Sequence, residues 1–205
     1  MSLRSEPRSA NVVWQVGAVG REERWRALGR RGATVWFTGL PASGKSTLAA
    51  QVEARLLAHG RPAYLLDGDN LRHGLCGDLG FSASERAENV RRAAQAGRLL
   101  ADAGTVALVS LVSPYAADRA RARAIHAEDG LPFLEVWVDT PLEECERRDP
   151  KGLYGRARRG ELRRMTGIDD PYEPPAGPEV VVRPGQDGEA LVAAALDAAH
   201  RVHRS

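Results

Sequence analysis

Lysine is nearly absent from this chain of 205 residues. Of its 29 Lys plus Arg residues only Lys45 and Lys151 are lysine, which leaves 27 arginines. Arginine serves wherever a generic surface cation is needed, so the two ammonium groups mark places where a compact, three-donor point charge matters. Cysteine is equally scarce. Cys76 and Cys145 stand far apart, with no C-x-x-C or Cys/His spacing, which favours reduced thiols over a disulfide or a zinc site. No apolar run approaches the roughly 20 residues of a membrane span, and residues 1–33 are too polar for a signal peptide, so the cytoplasm is the expected compartment. A formal net charge of +2 is too small to draw in nucleic acid or a membrane surface wholesale. Internal repeats and low-complexity segments are missing too. At 43% hydrophobic and 27% charged, the composition is that of one globular domain. We expect it over residues 33–205, with residues 1–32 as an N-terminal extension packed on or near it.

One of the two lysines falls in Gly39-Leu40-Pro41-Ala42-Ser43-Gly44-Lys45-Ser46, followed by Thr47. The pattern is G-x-x-x-x-G-K-S, a phosphate-binding P-loop. It follows the β-type run Thr34–Thr38 and opens a helical run from Ser46 to His59, the context the motif requires. Its glycines let successive N–H groups curl round an anion, and the helix adds its positive dipole end. Lys45 is expected to reach the β and γ phosphates of ATP, and the Ser46 hydroxyl to ligate Mg²⁺.

The rest of the chain alternates strands and helices. A short extended piece at 11–14 and a helix from Arg21 to Leu28 presenting Trp25 and Leu28 come first, after a loose tail over 1–10. The P-loop helix carries Leu48, Val52, Leu56 and Leu57 inward and stops at Gly60. Four further apolar runs, 62–66, 105–112, 133–138 and 179–182, are separated by helical material. Near-continuous apolar strands between helices imply an α/β, P-loop NTPase-type three-layer fold: a five-stranded, mainly parallel sheet with helices on both faces. In such sheets ligands sit at the carboxyl ends of the strands.

The second strand ends in Asp67-Gly68-Asp69-Asn70. In an extended segment Asp67 and Asp69 face the same way, so one can hold Mg²⁺ while the other takes a proton from an attacking hydroxyl. The alternative is an Asp-Gly turn with solvated acids. Ser82 and Glu85 form a capping-box pattern, which places Arg86 and Asn89 on one helix face near the strand ends. They can hold an anionic second substrate or be ordinary surface residues. Ser113 ends the third strand, either as part of the site or as a helix start before Pro114. Asp139 or Thr140 is expected to cap the helix after the fourth strand. Between 147 and 165 stand eight cations against two acids, interrupted by Pro150 and Gly152. We expect an Arg-rich lid over about 147–170 that excludes water from phosphates.

These motifs, in this order, resemble the adenylylsulfate kinases (APS kinases). The resemblance runs from about Val13 to Val182 and is carried by Gly32–Leu40, Asp67–Leu75, Asp78–Ser82, Glu85–Arg92, Asp149–Tyr154 and Thr166–Asp169. It implies Mg²⁺-ATP-dependent phosphorylation of adenylyl sulfate (APS) on its 3′-hydroxyl to give PAPS, in sulfate assimilation. It also implies a homodimer and a possible ATP sulfurylase partner. Carried over by position, Lys45, Asp67, Asp69 and Ser113 are catalytic, and Ser46 and Asp67 hold the metal. Arg72, Arg86, Asn89, Lys151, Gly152 and Leu153 join Asp69 and Ser113 as contacts to the second substrate, with Phe81 and Met165 on either side of its adenine. The family describes a phosphorylated serine at the place of Ser113; direct transfer to an in-line hydroxyl needs none, so positioning is the preferred role. Four places depart from the family pattern: Pro41-Ala42 for Ser-Gly, Cys76-Gly77 for a polar-basic pair, Ala116 for arginine, and Met165 for a second stacking Phe. Those at Ala116 and Met165 leave room for a related P-loop kinase with another anionic or adenylylated acceptor; against a further alternative, a nucleotide-binding subunit without turnover, stand intact Lys45, Asp67 and Asp69.

Overall fold

The strand Ala33–Thr38 (β1), which leads into the P-loop, is buried at all six positions. The computed structural model describes residues 11–13, 15 and 17–202. It places β1 third in a sheet of order β2-β3-β1-β4-β5, with β2 at Ala63–Asp67, β3 at Val106–Ser110, β4 at Phe133–Val138 and β5 at Val180–Val182. Every pairing among these strands is parallel, so the sheet expected to be mainly parallel is wholly so among the described residues.

Alternation along β1 explains the three layers, because successive side chains leave opposite faces. Val35 and Phe37 pack on one face with Leu48, Val52 and Leu56 of α2 (Lys45–Ala58) and Leu196 of α8 (Gly188–Val202). Trp36 packs on the other with Val90, Ala93 and Ala94 of α4 (Ala83–Asp102) and Ala122 of α5 (Ala116–Ala127). Burial of each Val, Leu or Phe side chain among them contributes about 1.5–3 kcal/mol. Two expectations fail at the margins of this core. Leu57 is 54% exposed: at about 100° per residue it lies opposite Leu48 on the helix, whereas steps of four from Leu48 keep Val52 and Leu56 inward. The run 62–66 is not a buried strand but the edge of the sheet, with Tyr64 57% exposed.

The helix α1 (Arg21–Leu28) docks on the end of α4. Trp25 is buried, and its Nε1 donates to the Asp102 carbonyl at 3.1 Å beside an Arg24–Asp102 ion pair at 2.5 Å. Leu28 stays largely exposed. Val12 and Val13 are exposed and belong to no strand of the sheet; the tail 1–10 and Trp14, the last residue of the extended piece expected at 11–14, lie outside the described residues. Both cysteines are free and buried.

Candidate active site

Parallel strands bring their carboxyl ends to one edge, and the register aligns Phe37 with Ser110 and Ser110 with Asp67. Between β1 and α2 the chain must turn at once, which two glycines permit. Gly39 has φ +151° and a Cβ there would stand 2.6 Å from the Val138 carbonyl; Gly44 has φ +103° and opens α2. Ala42, a departure from the family pattern, also adopts a left-handed φ of +59°, which costs an L-residue about 1–2 kcal/mol. Its neighbours Leu40, Cys145, Tyr154 and Met165 form an apolar cluster with it.

Above this edge opens a cleft of about 1130 Å³. All the expected site residues line it except Gly39, Leu40, Ser43 and Gly152. Leu40 and Ser43 contact Lys45, whose Nζ donates to the Leu40 carbonyl at 2.7 Å and lies 3.4 Å from Ser43 Oγ. Burial brings the Lys45 ammonium down to about 8, against the opposing pull of Cys145, Asp67 and Asp69. Gly152 has φ +65° and precedes α7 (Leu153–Arg158).

Ser46 Oγ donates to Asp67 Oδ2 at 2.6 Å and lies 3.2 Å from Ser110 Oγ. The segment after Asp67 is not extended, contrary to expectation. Gly68–Leu71 is a single helical turn (α3), and Asp67 is its N-cap, with Oδ1 accepting from Asp69 N at 2.9 Å and Asn70 N at 3.4 Å. A carboxylate that satisfies two otherwise orphaned N–H groups makes the turn the better conformation. Strand alternation therefore does not align the two acids. Asp67 faces Ser46, and Asp69, on the turn, forms an ion pair with Lys151.

The capping box at Ser82 and Glu85 is formed as expected. Hydrogen bonds from the Ser82 side chain and from the Ser82 and Gly80 amides hold the Glu85 carboxyl down at about 2. With that end rigid, Arg86 crosses to the Arg-rich segment, donating to the Arg164 carbonyl at 2.6 Å and Thr166 Oγ1 at 3.2 Å. Asn89 is buried, and its Nδ2 makes no hydrogen bond of normal geometry within the protein, although the side chain lies beside the Cys76 thiol. Leaving such a group unpaired costs about 1–3 kcal/mol, and Asn89 lines the cleft. Arg72 donates to the Leu79 and Gly80 carbonyls at 2.9 Å and stands 4.2 Å from the centre of the Phe81 ring. Phe81 is 57% exposed, whereas Met165 is only 5% exposed.

Ser113 is buried with φ +38°, and its Oγ accepts from Trp36 Nε1 at 3.1 Å. The helix α6 (Leu142–Arg148) begins after Pro141 without a side-chain cap. Neither of the expected caps serves: Thr140 donates to the Ser43 carbonyl at 2.9 Å, and Asp139 accepts from Arg183 Nε at 3.1 Å. Two further supports of the P-loop escaped sequence reasoning: Tyr154, whose hydroxyl donates to the Pro41 carbonyl at 3.0 Å, and Arg148, which reaches the Ser43 carbonyl at 3.3 Å. Neither has a local pattern. Ser110 had one, its place at a strand's carboxyl end.

The family model described as adenylylsulphate kinase matches residues 31–183. The chain belongs to the adenylylsulphate kinase family. Among its relatives, the adenylyl-sulfate kinase of Citrobacter koseri is 54% identical over 182 residues, covering 89% of this chain and 88% of the relative. The bifunctional enzyme NodQ of Rhizobium sp. (strain N33) is 51% identical over 193 residues, which cover 94% of this chain but 30% of that enzyme. The solved Mycobacterium tuberculosis APS kinase CysC, in complex with AMPPNP and APS, superposes with a TM-score of 0.78 at 54% identity, over 82% of this chain and 97% of that one. The adenylylsulphate kinase match starts two residues before β1 and ends just past β5, so it takes in all five strands of the sheet. Among the described residues no helix is long and apolar enough to cross a membrane.

Proposed function

We propose that this chain is an ATP-dependent adenylyl-sulfate kinase, which transfers the γ-phosphoryl group of ATP to the 3′-hydroxyl of APS and releases ADP and PAPS. The observation that carries the reading is the convergence of Lys45, the Ser46–Asp67 pair and Asp69 on one cleft at the carboxyl edge of the sheet. The P-loop amides and Lys45 bind the β and γ phosphates. The 3′-oxygen forms the new bond to the γ-phosphorus as the bond to the bridging oxygen of ADP breaks, and the hydroxyl proton passes to Asp69.

A hydroxyl and a carboxylate oxygen 2.6 Å apart are hard donors that fit Mg²⁺, an ion bound through one or two protein oxygens with phosphate and water. Ser46 and Asp67 would hold it. Such an ion supplies charge neutralisation on the phosphate oxygens. Arg72, Arg86, Asn89 and Lys151 present donors to the phosphosulfate and ribose of APS, beside Gly152 and Leu153, and Phe81 and Met165 flank its adenine. Ser113 acts by position. Its hydroxyl is engaged by the Trp36 indole, and direct transfer requires no phosphoserine. A homodimer and an ATP sulfurylase as partner belong to the same reading and rest on the family resemblance; a cytoplasmic place of action rests on the polar composition of the sequence.

The test is ADP release measured with APS, adenosine monophosphate, shikimate and gluconate as acceptors. Turnover with APS alone is expected. Turnover of another acceptor with APS inert overturns the assignment.

A further inference from the structure

Arg119 is charged, 3% exposed and set behind the cleft rather than in its lining. Burying a guanidinium costs several kcal/mol unless its donors are matched. Here all three nitrogens are engaged. Nε donates to Glu135 Oε1 at 2.8 Å, Nη1 to the Ser113 carbonyl at 2.7 Å and Nη2 to the Glu173 carbonyl at 2.6 Å. Glu135 is pinned in β4, where its amide donates to Glu179 at 2.6 Å. Arg119 thus ties to the sheet two loops that are distant in sequence, the one after β3 and the one that follows the Arg-rich segment.

Further bonds stitch the same two loops together. Glu173 N donates to the Pro114 carbonyl at 2.9 Å, Ala116 N to Glu173 Oε2 at 2.6 Å, and the Tyr115 hydroxyl to Asp170 Oδ1 at 3.0 Å. What hangs from this seam belongs to the acceptor side of the cleft. Asp170 stands 3.6 Å from Arg86, and its carbonyl accepts from Gly167 N at 2.8 Å, closing the turn that carries Met165 and Thr166. Ser113, at the other end, keeps a left-handed φ that a serine does not choose unaided. The polar supports of the P-loop come from other residues, Thr140, Tyr154 and Arg148, and its contact with the 165–168 turn is the apolar packing of Leu40 and Ala42 beside Met165.

We propose that Arg119 is a positioning residue for the acceptor half of the site: it clamps the Ser113 carbonyl and the root of the 164–170 turn to β4, and so sets where Ser113, Arg86 and Met165 stand relative to the P-loop. This rests on the cleft being an APS kinase site. A salt bridge that served stability alone would, when removed, lower the melting temperature and leave the kinetics of folded enzyme untouched.

The experiment compares full-length wild type and Arg119→Lys, which keeps the charge beside Glu135 and cannot span all three acceptors. APS kinetics, ADP titration calorimetry, thermal melts and amide hydrogen exchange are measured on each. The expected result is a rise in the KM for APS of at least about tenfold, as small misplacements of positioning groups produce. ADP affinity stays within about twofold, and the Ala116 and Glu173 amides exchange at least about tenfold faster as their local bonds open. Unchanged KM with a lowered melting temperature overturns the proposal, and so does a parallel loss of ADP binding. If Arg119→Lys does not fold, Tyr115→Phe decides: it removes the outer strut to Asp170 and leaves the buried pair in place. A raised KM for APS at constant ADP affinity is expected there, and an unchanged KM overturns the idea. Should wild type fail to turn over APS, the kinase reading falls, while the exchange measurement still tests whether Arg119 holds the seam.

Discussion

Lys151 and Asp69 form an ion pair that joins the Arg-rich segment to the turn after β2. The acid expected to accept the substrate proton is therefore engaged by one of the chain's two lysines. Both side chains are more than half exposed, and exposed pairs contribute only about 0–1 kcal/mol. A substrate hydroxyl and its neighbouring anionic groups can take over the two partners at little cost.

Asp69→Asn is expected to lower kcat by about 10²–10⁴-fold, the usual contribution of a positioned base, while each KM changes far less. The amide keeps the size and loses the proton acceptor. Asp67→Asn is expected instead to shift the Mg²⁺ concentration needed for half-maximal rate, because Asp67 faces Ser46. Steady-state kinetics across a Mg²⁺ series separates the two, and wild-type behaviour in both variants would leave the Asp-Gly-Asp segment as a plain turn.

Lys45→Ala is expected to reduce turnover by about 10³-fold, near 4 kcal/mol, since the developing charge on the transferring phosphoryl group loses its nearest protein cation. A second signature follows from burial, which brings this ammonium down to about 8 in the free protein. Bound phosphate favours the charged form, so ADP affinity should weaken as pH rises through 8, with proton uptake on binding. Calorimetry in buffers of different ionisation enthalpy measures that uptake. Affinity that is flat from pH 7 to 9 argues against Lys45 on the phosphates.

His126 lies in the core between α5 and β1. Its Nδ1 is 2.8 Å from the Ala122 carbonyl, which can only accept, so Nδ1 carries the proton and Nε2 accepts from Thr34 Oγ1 at 2.9 Å. Burial lowers its pKa to about 4 from an ordinary 6.5. The unfolded chain thus takes up a proton at a pH where the folded chain does not. The resulting stability is fully present above 6.5 and is lost as pH falls towards 4, at up to about 1.4 kcal/mol per pH unit. Urea unfolding at pH 7, 6 and 5 should show this decline in wild type and a flatter profile in His126→Gln. Parallel profiles would remove His126 as the cause.

Phe81→Ala is expected to weaken APS binding by more than tenfold, because a base loses an aromatic platform worth about 1–3 kcal/mol. Met165→Phe is expected to tighten APS binding several-fold. It does so against a packing penalty of about 1–3 kcal/mol in stability, since residue 165 is buried against Cys145 and Tyr154. Titration of APS into protein loaded with ADP and Mg²⁺, together with thermal melts, reads both effects. Weaker APS binding in Met165→Phe would place the adenine elsewhere.

Features whose cause lies within a few residues were legible in the order of the amino acids. The P-loop between strand and helix, the capping box at Ser82 and Glu85, the stop after Ala58 at Gly60, and the buried runs of β1, β3 and β4 all follow from local periodicity and local hydrogen bonding. Lys45, Ser46, Asp67 and Asp69 were legible for the same reason, in contiguous motifs beside strand ends, whereas Arg72, Phe81, Lys151 and Met165 were assigned through the family resemblance. What depends on distant partners was settled only when the chain folded. Asp67 caps a turn rather than extending a strand, because Ser46 and two amides of the next turn compete for its oxygens. Thr140 turns to the P-loop rather than to its own helix. Tyr64 is exposed because β2 is an edge strand, a fact of strand order that no window of sequence contains. Arg119, one arginine among 27 in the chain, is set apart only by three acceptors on three separate segments. A burial cost that large is met by contacts the chain makes only after its distant segments are brought together, and those contacts leave no periodic trace in the order of the residues.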